Sequence, residues 1–252
     1  MPKVSFLGKV FPEAYQLSIS SLPIIRWESP DVGLTWLITI KIEKNVVTIE
    51  CDVNRYSASE LIITYMRAFD QVRSAINLAA FATGIGFSVV IDTLIDQNGR
   101  QTAFALKDDG IAALCTMIDL NASSSYSEVF NIVATEPALF QALDDLIVSI
   151  SLPHHSVVNC ARAIEGIRHM IAPGKKEKVA WIEMRRILNI SEPYLRMLTD
   201  HSPPPRHGDR THIPGAITME IVKRSWRVMN RFLEYRKRGN KPLPEAEFPT
   251  LV

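Results

Sequence analysis

Residues 201 to 212 read His201-Ser-Pro-Pro-Pro-Arg206-His207-Gly208-Asp209-Arg210-Thr211-His212, which places three imidazoles, two guanidiniums and a carboxylate in one short stretch. An imidazole exchanges protons near neutral pH. A guanidinium stays charged and grips an anion with parallel donors. One Arg and one His therefore form a minimal set for cleaving RNA without metal. The imidazole takes the proton of a ribose 2′-hydroxyl, that oxygen attacks the adjacent phosphorus, and the guanidinium stabilises the added negative charge. The same residues also admit a structural reading, in which Arg206, Asp209 and Arg210 pair with each other and with neighbouring acids to hold a proline-rich loop.

Other residues offer less. His154 and His155 are adjacent and would point about 100° apart on a helix, a poor geometry for one metal. His169 lies near the end of a predicted helix, where a cation offsets the dipole. Cys51, Cys115 and Cys160 are widely spaced and form neither a disulfide framework nor a zinc set, so they suit a reducing cytoplasm. Gly84-Ile85-Gly86 follows a helix, precedes a strand and lacks the third glycine of a nucleotide loop. The sequence thus predicts no metal and no cofactor. Asp108-Asp109 and Asp144-Asp145 have no partners at a recognisable spacing and read as solvated.

The elements that must position these groups change character along the chain. Leu34, Trp36, Ile38, Ile40 and Ile42 alternate with mostly polar residues, and Val47, Ile49, Cys51 and Val53 do so after a Glu43-Lys44-Asn45 turn. That pattern predicts a hairpin with one buried face. Val4–Val10 and Tyr15–Ile19 read as further strands. A helix follows, capped by Ser57 or Ser59, carrying Leu61, Tyr65, Phe69, Val72, Ile76 and Ala80, and stopping at Gly84. Phe87, Val89 and Ile91 then start a strand, which turns at Asp96-Gln97-Asn98-Gly99 and returns over Thr102–Leu106. Beyond Gly110 the pattern is helical, over Ile111–Ile118, Ser127–Ser151 with Pro137 starting or kinking a helix, Ser156–Ile171, Lys175–Leu188, Glu192–Thr199 and Ile217–Arg238. The expected class is α+β: antiparallel hairpins packed with a long helix over residues 1–110, an all-α bundle over 111–240, and a proline-broken tail over 241–252 whose Phe248 and Leu251 dock on the body.

The chain has 252 residues, with 28 Lys+Arg against 27 Asp+Glu. The near-zero balance hides an asymmetry. Residues 1–150 hold 10 basic and 17 acidic side chains, whereas residues 151–252 hold 18 and 10, together with all six histidines. An anionic partner therefore belongs with the second part. On the last helix, Lys223, Arg227, Arg231 and Arg238 recur at helical spacing and read as a rail for a phosphate backbone. Alternatively, Glu220–Arg224 and Glu234–Arg238 are ordinary ion pairs on a solvated face. The longest uncharged run, Ser74 to Ile91, is diluted by polar residues and changes period, so it reads as helix running into strand rather than as a membrane span. The N-terminal MPKVSFLGKVFPEAYQ lacks a signal-peptide pattern. A cytoplasmic protein with no membrane partner is expected.

The Arg206–His212 segment and the helices before it resemble the HEPN superfamily, helical domains that include many metal-independent ribonucleases. The family signature is an Arg, usually followed by a polar residue, and a His after four to six intervening residues. Here these are Arg206, His207 and His212. Asn159-Cys-Ala-Arg-Ala-Ile-Glu165 resembles the family's helix with a buried polar residue, Trp181 to Leu188 its third helix, and Ile217–Arg238 its closing one. The similarity covers roughly residues 128–240. In the family the Arg and His usually share a helix or its first turn, whereas Pro203–Pro205 and Pro214-Gly215 here predict a loop. On a helix six residues would turn 240° net, so the loop must bring Arg206 and His212 together, or His207 must act instead. The resemblance implies RNA as partner, Arg206, His207 and His212 as catalytic residues, Arg210, Lys223, Arg227 and Arg231 as RNA contacts, and two paired protomers. By analogy it implies a defence, stress or toxin–antitoxin role, with the N-terminal module sensing a trigger through an unknown protein partner. The competing expectation is a non-enzymatic interaction protein with an acidic, β-rich docking face. A small-molecule enzyme centred on the N-terminal module has no residue spacing to support it.

Overall fold

Alternation at period two produces the sheet. A computed structural model describes residues 1–20, 22–30, 32–105, 109–116, 118–120, 122–206 and 213–252. The chain forms two units, Met1–Ala105 and Leu106–Val252. The first contains β1 (Lys3–Phe11), β2 (Ile25–Ser29), β3 (Leu34–Glu43), β4 (Val46–Val53), helix α1 (Ala58–Thr83), β5 (Ser88–Ile95) and β6 (Gln101–Ala103). The strands make one antiparallel sheet in the order β2-β3-β4-β1-β5-β6. Register aligns Phe6 with Ile49 and Ile49 with Ile40, so one face carries Val4, Phe6, Trp36, Ile38, Ile40, Ile42, Val47, Ile49, Cys51 and Val53, all buried.

Helix α1 packs against β3, β4 and β5 through Tyr65, Ala68, Val72, Ala75 and Ile76. Ser57 caps it by accepting from the Glu60 N–H, and Gly84 ends it in the left-handed region at φ 69°. Within this interface Trp36 Nε1 donates to Thr64 Oγ1 at 2.8 Å, and the Phe6 ring meets Tyr65 edge-on at 5.5 Å. Burying each large apolar side chain contributes roughly 1.5–3 kcal/mol. An exposed pair such as Lys3–Glu50 contributes little, since water and salt screen it. The apolar row, not the surface charge, holds this unit.

One expectation for this unit fails. Tyr15–Ile19 is not a strand. It makes one isolated bridge, Ile19 to Ile42, and is tied to the β3–β4 turn by Asn45, whose Oδ1 accepts from the Leu17 N–H at 2.6 Å. A side chain that takes the backbone donor competes with a ladder. Conversely, β2 escapes prediction because none of its residues is buried, so its sequence carries no period.

The second unit contains α2 (Asp109–Ala112), α3 (Ser123–Ala134), α4 (Pro137–Ser151), a 3₁₀ turn at Pro153–His155, α5 (Ser156–Ile171), α6 (Glu177–Leu188), α7 (Glu192–Thr199), α8 (Pro203–Arg206) and α9 (Gly215–Lys237). Pro137 opens a separate helix, where its missing N–H costs nothing. The helix predicted over Ile111–Ile118 shrinks to α2. Asn230 Oδ1 accepts from the Thr116 N–H at 3.0 Å while its Nδ2 donates to Thr116 Oγ1 at 2.9 Å, taking the backbone out of a helical path. Central α5 packs against α4, α6, α7 and α9, burying Cys160, Ala163, Ile164 and Ile167 against Leu139, Leu146, Met184 and Phe232.

Ionic contacts also join distant parts of this unit: Glu136 with Arg236, Glu128 with Lys237 at 3.1 Å, and Asp145 with Arg162 at 3.4 Å. These acids lie in residues 106–150, which hold 7 Asp+Glu and 1 Lys. The acidity expected of a β-rich face therefore belongs to the helical unit, and the sheet unit is close to neutral, with 9 Lys+Arg and 10 Asp+Glu. No helix among the described residues is long and apolar enough to cross a membrane.

Candidate functional site

Three consecutive prolines predicted a loop, but Pro203–Arg206 is a short helix, α8, packed against α5. The physical reason is positional. The first N–H groups of any helix lack an intrahelical acceptor, so prolines there remove bonds that would not form. Before it, buried Ser202 closes the preceding turn by donating its hydroxyl to the Thr199 carbonyl at 2.9 Å. Arg206 ends α8. Its side chain, and all of His207, Arg210 and His212, lie outside the described residues.

Helix α9 follows this segment in the sequence, and its cations separate into two kinds. Lys223 and Arg227, one turn apart and half-buried, pair with no carboxylate among the described residues. Arg227 faces the hydroxyl of Tyr194 on α7, and its charge partly offsets the upward shift that burial imposes on that phenol. Arg224 stacks on the same ring at 4.5 Å and bonds Glu220 at 2.7 Å. This segment of α9 presents two guanidiniums, those of Arg224 and Arg227, to one aromatic ring, with Glu220 the carboxylate beside them.

The expectation that Arg231 continues this row is corrected by its burial: only 8 % of it is exposed. Nη1 donates to the carbonyls of Leu188 (2.7 Å) and Asn189 (2.6 Å), and Nη2 donates to the carbonyl of Pro249 at 2.5 Å. Those carbonyls end α6 and belong to the tail, so Arg231 caps one and anchors the other. The hydrophobic stripe of α9 drifts around its axis, and position 231 falls among Val228, Phe232 and Tyr235 on the inward side. Arg238 is likewise committed. It bonds Glu234 and Glu247, each at 2.6 Å, lies over the Phe248 ring at 5.0 Å, and is held above the ordinary guanidinium range by those two carboxylates. Asn189 Nδ2 adds bonds to the carbonyls of Leu243 and Phe248. The tail is thus fastened to the helices, and Phe248 and Leu251 pack on their core.

Asn159 on α5 is buried at 7 % exposure. Cys51, Cys115 and Cys160 are free thiols. No three His, Cys, Asp or Glu side chains gather as a metal site among the described residues. One polar cluster has no signature in the sequence. Buried Arg168 on α5 bonds Glu177 at 2.9 Å and lies over the Trp181 ring at 4.8 Å, while Trp181 Nε1 shares Glu177 at 3.4 Å. The Glu177–Trp181 spacing of four was the available signal, but nothing in the sequence links it to Arg168.

Residues 4–104 match the family model described as the N-terminal domain of a domain of unknown function, DUF8168, and residues 126–237 match its C-terminal domain. The chain belongs to the DUF8168 family. Both family domains are present in order, and their limits fall inside the sheet unit and the helical unit respectively. No curated protein and no solved structure matches this DUF8168 chain.

Proposed function

We propose that the helical unit of this DUF8168 protein is an RNA-binding domain of HEPN-like character whose 206–212 segment cleaves RNA without a metal. The observation that carries the reading is the pair Lys223 and Arg227. In a unit whose other α9 arginines are consumed by carboxylates, an aromatic ring or carbonyls, these two keep their charge available, one turn apart, on the helix that follows the Arg/His segment. Arg206 with His212, or with His207, supplies the guanidinium and imidazole that 2′-hydroxyl attack requires. In this proposal two copies pair, the protein acts in the cytoplasm, and the sheet unit receives a trigger from a protein partner in a defence, stress or toxin–antitoxin role.

The test is cleavage of end-labelled RNA by the purified chain in EDTA, repeated with Arg206→Ala and His212→Ala. Cleavage is expected from the wild type and loss of it from both variants. Absence of cleavage in all three, or its survival in both variants, sinks the catalytic part. Binding is read separately by anisotropy. Lys223→Ala/Arg227→Ala is expected to weaken RNA binding and to flatten its salt dependence by about two counterion contacts. An unchanged affinity and slope rejects the α9 surface.

A further inference from the structure

Away from α9, helices α6 and α7 enclose an open groove of about 630 Å³ lined by Trp181, Ile182, Leu195, Lys178, Arg185 and Arg196, with Glu177, Glu192 and Thr199 completing it. Its apolar surface is unusually available. Ile182 is 48 % exposed, and Val179 beside it 49 %. Its charged groups are held in place. Glu192 holds Arg196 at 2.8 Å and also bonds Arg185, while Glu177 fixes Arg168 beneath the Trp181 ring. The lining thus holds three cations, Lys178, Arg185 and Arg196, against two carboxylates, an excess of one, and one of those carboxylates, Glu177, is also shared with buried Arg168 beneath the wall. The guanidinium Nε of Arg168 is buried without a hydrogen-bond partner among the described residues, so the cluster is short of acceptors as well as of negative charge.

From this charge and surface we infer that the α6–α7 groove docks an acidic amphipathic peptide segment of a partner protein. Tryptophan and arginine are the side chains that most often dominate protein interfaces, and here they are already ordered before a partner arrives. The apolar anchor of the peptide packs on Trp181, Ile182 and Leu195, as in helix-in-groove recognition. Its carboxylates exchange with Glu192 at Arg185 and Arg196, at small cost because exposed ion pairs are weak. A nucleic acid fits this groove poorly, since Glu177 and Glu192 repel a continuous polyphosphate, whereas a peptide sets an apolar residue between them. The inference is independent of the RNA proposed for α9.

The experiment pans a random-peptide phage library on the full chain, then measures fluorescein-labelled winners by anisotropy. Winners are expected to be acidic with an aromatic or branched aliphatic anchor. Their affinity should fall roughly tenfold or more in Arg196→Glu and again in Lys178→Glu, two variants at exposed positions whose folding is checked by circular dichroism. Lys241→Glu, distant in sequence and exposed, should bind as the wild type does. No enrichment, winners without acidic residues, or acidic winners that ignore both variants overturn the inference. So do winners that copy a segment of this chain, which would make the occupant a second copy, and displacement of the peptide by RNA.

Discussion

The two units use charge differently. In Met1–Ala105, 9 Lys+Arg meet 10 Asp+Glu, and the ion pairs among the described residues join positions within five residues in sequence or on adjacent strands: Lys41–Glu43, Arg55–Glu60, Lys3–Glu50. In Leu106–Val252, 19 meet 17, and pairs such as Glu136–Arg236, Glu128–Lys237 and Asp145–Arg162 join separate helices. The sheet unit would lose little if such a surface pair were deleted. The helical unit instead uses arginine as a connector, because a guanidinium offers several donors in a fixed plane and satisfies the carbonyls that helix ends and an irregular tail leave over. A positive count in a sequence segment therefore does not translate into free cations on a surface. Residues 151–252 carry an excess of eight, with 18 basic and 10 acidic side chains, but much of it is spent inside the unit on residues 106–150 and on backbone.

The sharpest way to break that contrast is Arg231→Ala. It removes three charge-assisted bonds to the carbonyls of Leu188, Asn189 and Pro249 and the contact under Phe248. The expected loss is roughly 3–5 kcal/mol, because three carbonyls lose a charged donor together. Chemical denaturation reads the loss. Hydrogen exchange localises it, with early exchange at the amides of Leu243, Leu251 and Ser191, which now bond Ile187, Asn189 and Leu251. Arg231→Lys should recover only part, since an ammonium cannot reproduce the planar fork. Equal stability of Arg231→Ala and wild type would remove the distinction between structural and free arginines on α9.

The sheet unit is expected to be most sensitive at a position with no charge and no side chain. β1 shifts register against β5 between Leu7 and Gly8, and a Cβ on Gly8 would lie 2.2 Å from the Val90 carbonyl oxygen. Backbone cannot yield as a flexible side chain does, so Gly8→Ala should cost roughly 1–3 kcal/mol through displacement of β5. Thermal unfolding followed at the tryptophans Trp27 and Trp36 reads this unit. A neutral result would mean that β1 and β5 separate freely at the bulge.

The same contrast explains what could be read from the sequence. Alternation at Leu34–Ile42 and Val47–Val53 located β3 and β4 because each buried residue reports its own strand, with no knowledge of a partner. The helices α5 and α7 are likewise legible at Ser156–Ile171 and Glu192–Thr199, since Pro153 and Pro173 bracket the first; the Ser191 cap that opens the second is visible only in the structure. The pattern could not tell Arg227 from Arg231. Both sit at helical spacing, and only the path of the tail, with Pro249 brought back to α9, makes one of them internal. The α8 helix escaped for the opposite reason. A run of prolines reads as a breaker, while its effect depends on whether its N–H would have had an acceptor. The α6–α7 groove was invisible because its residues come from two helices whose relative placement no local pattern encodes.

The smallest predicted effect separates burial from charge once more. Cys51 sits in the sheet core with no exposed surface, and burial pushes its thiol up to about 12 from an ordinary value near 9. The native state therefore keeps this proton at pH values where the unfolded chain releases it. Below about pH 9 both states hold it and stability is unaffected. Above that the unfolded chain binds fewer protons, so stability falls as pH rises toward 12, by about 1 kcal/mol at pH 10. Tyr65, raised by the same burial, adds to the slope once unfolded tyrosines ionise. Denaturation of the wild type and of Cys51→Val between pH 8 and pH 10 isolates the thiol. The variant should show a flatter decline whatever its starting stability, and parallel declines would mean that Cys51 ionises as readily in the fold as outside it. Half-buried Cys115 in the helical unit supplies the internal reference. It should react with an alkylating agent in the native protein while Cys51 and Cys160 stay protected, because the reagent cannot reach a sulfur enclosed by the core.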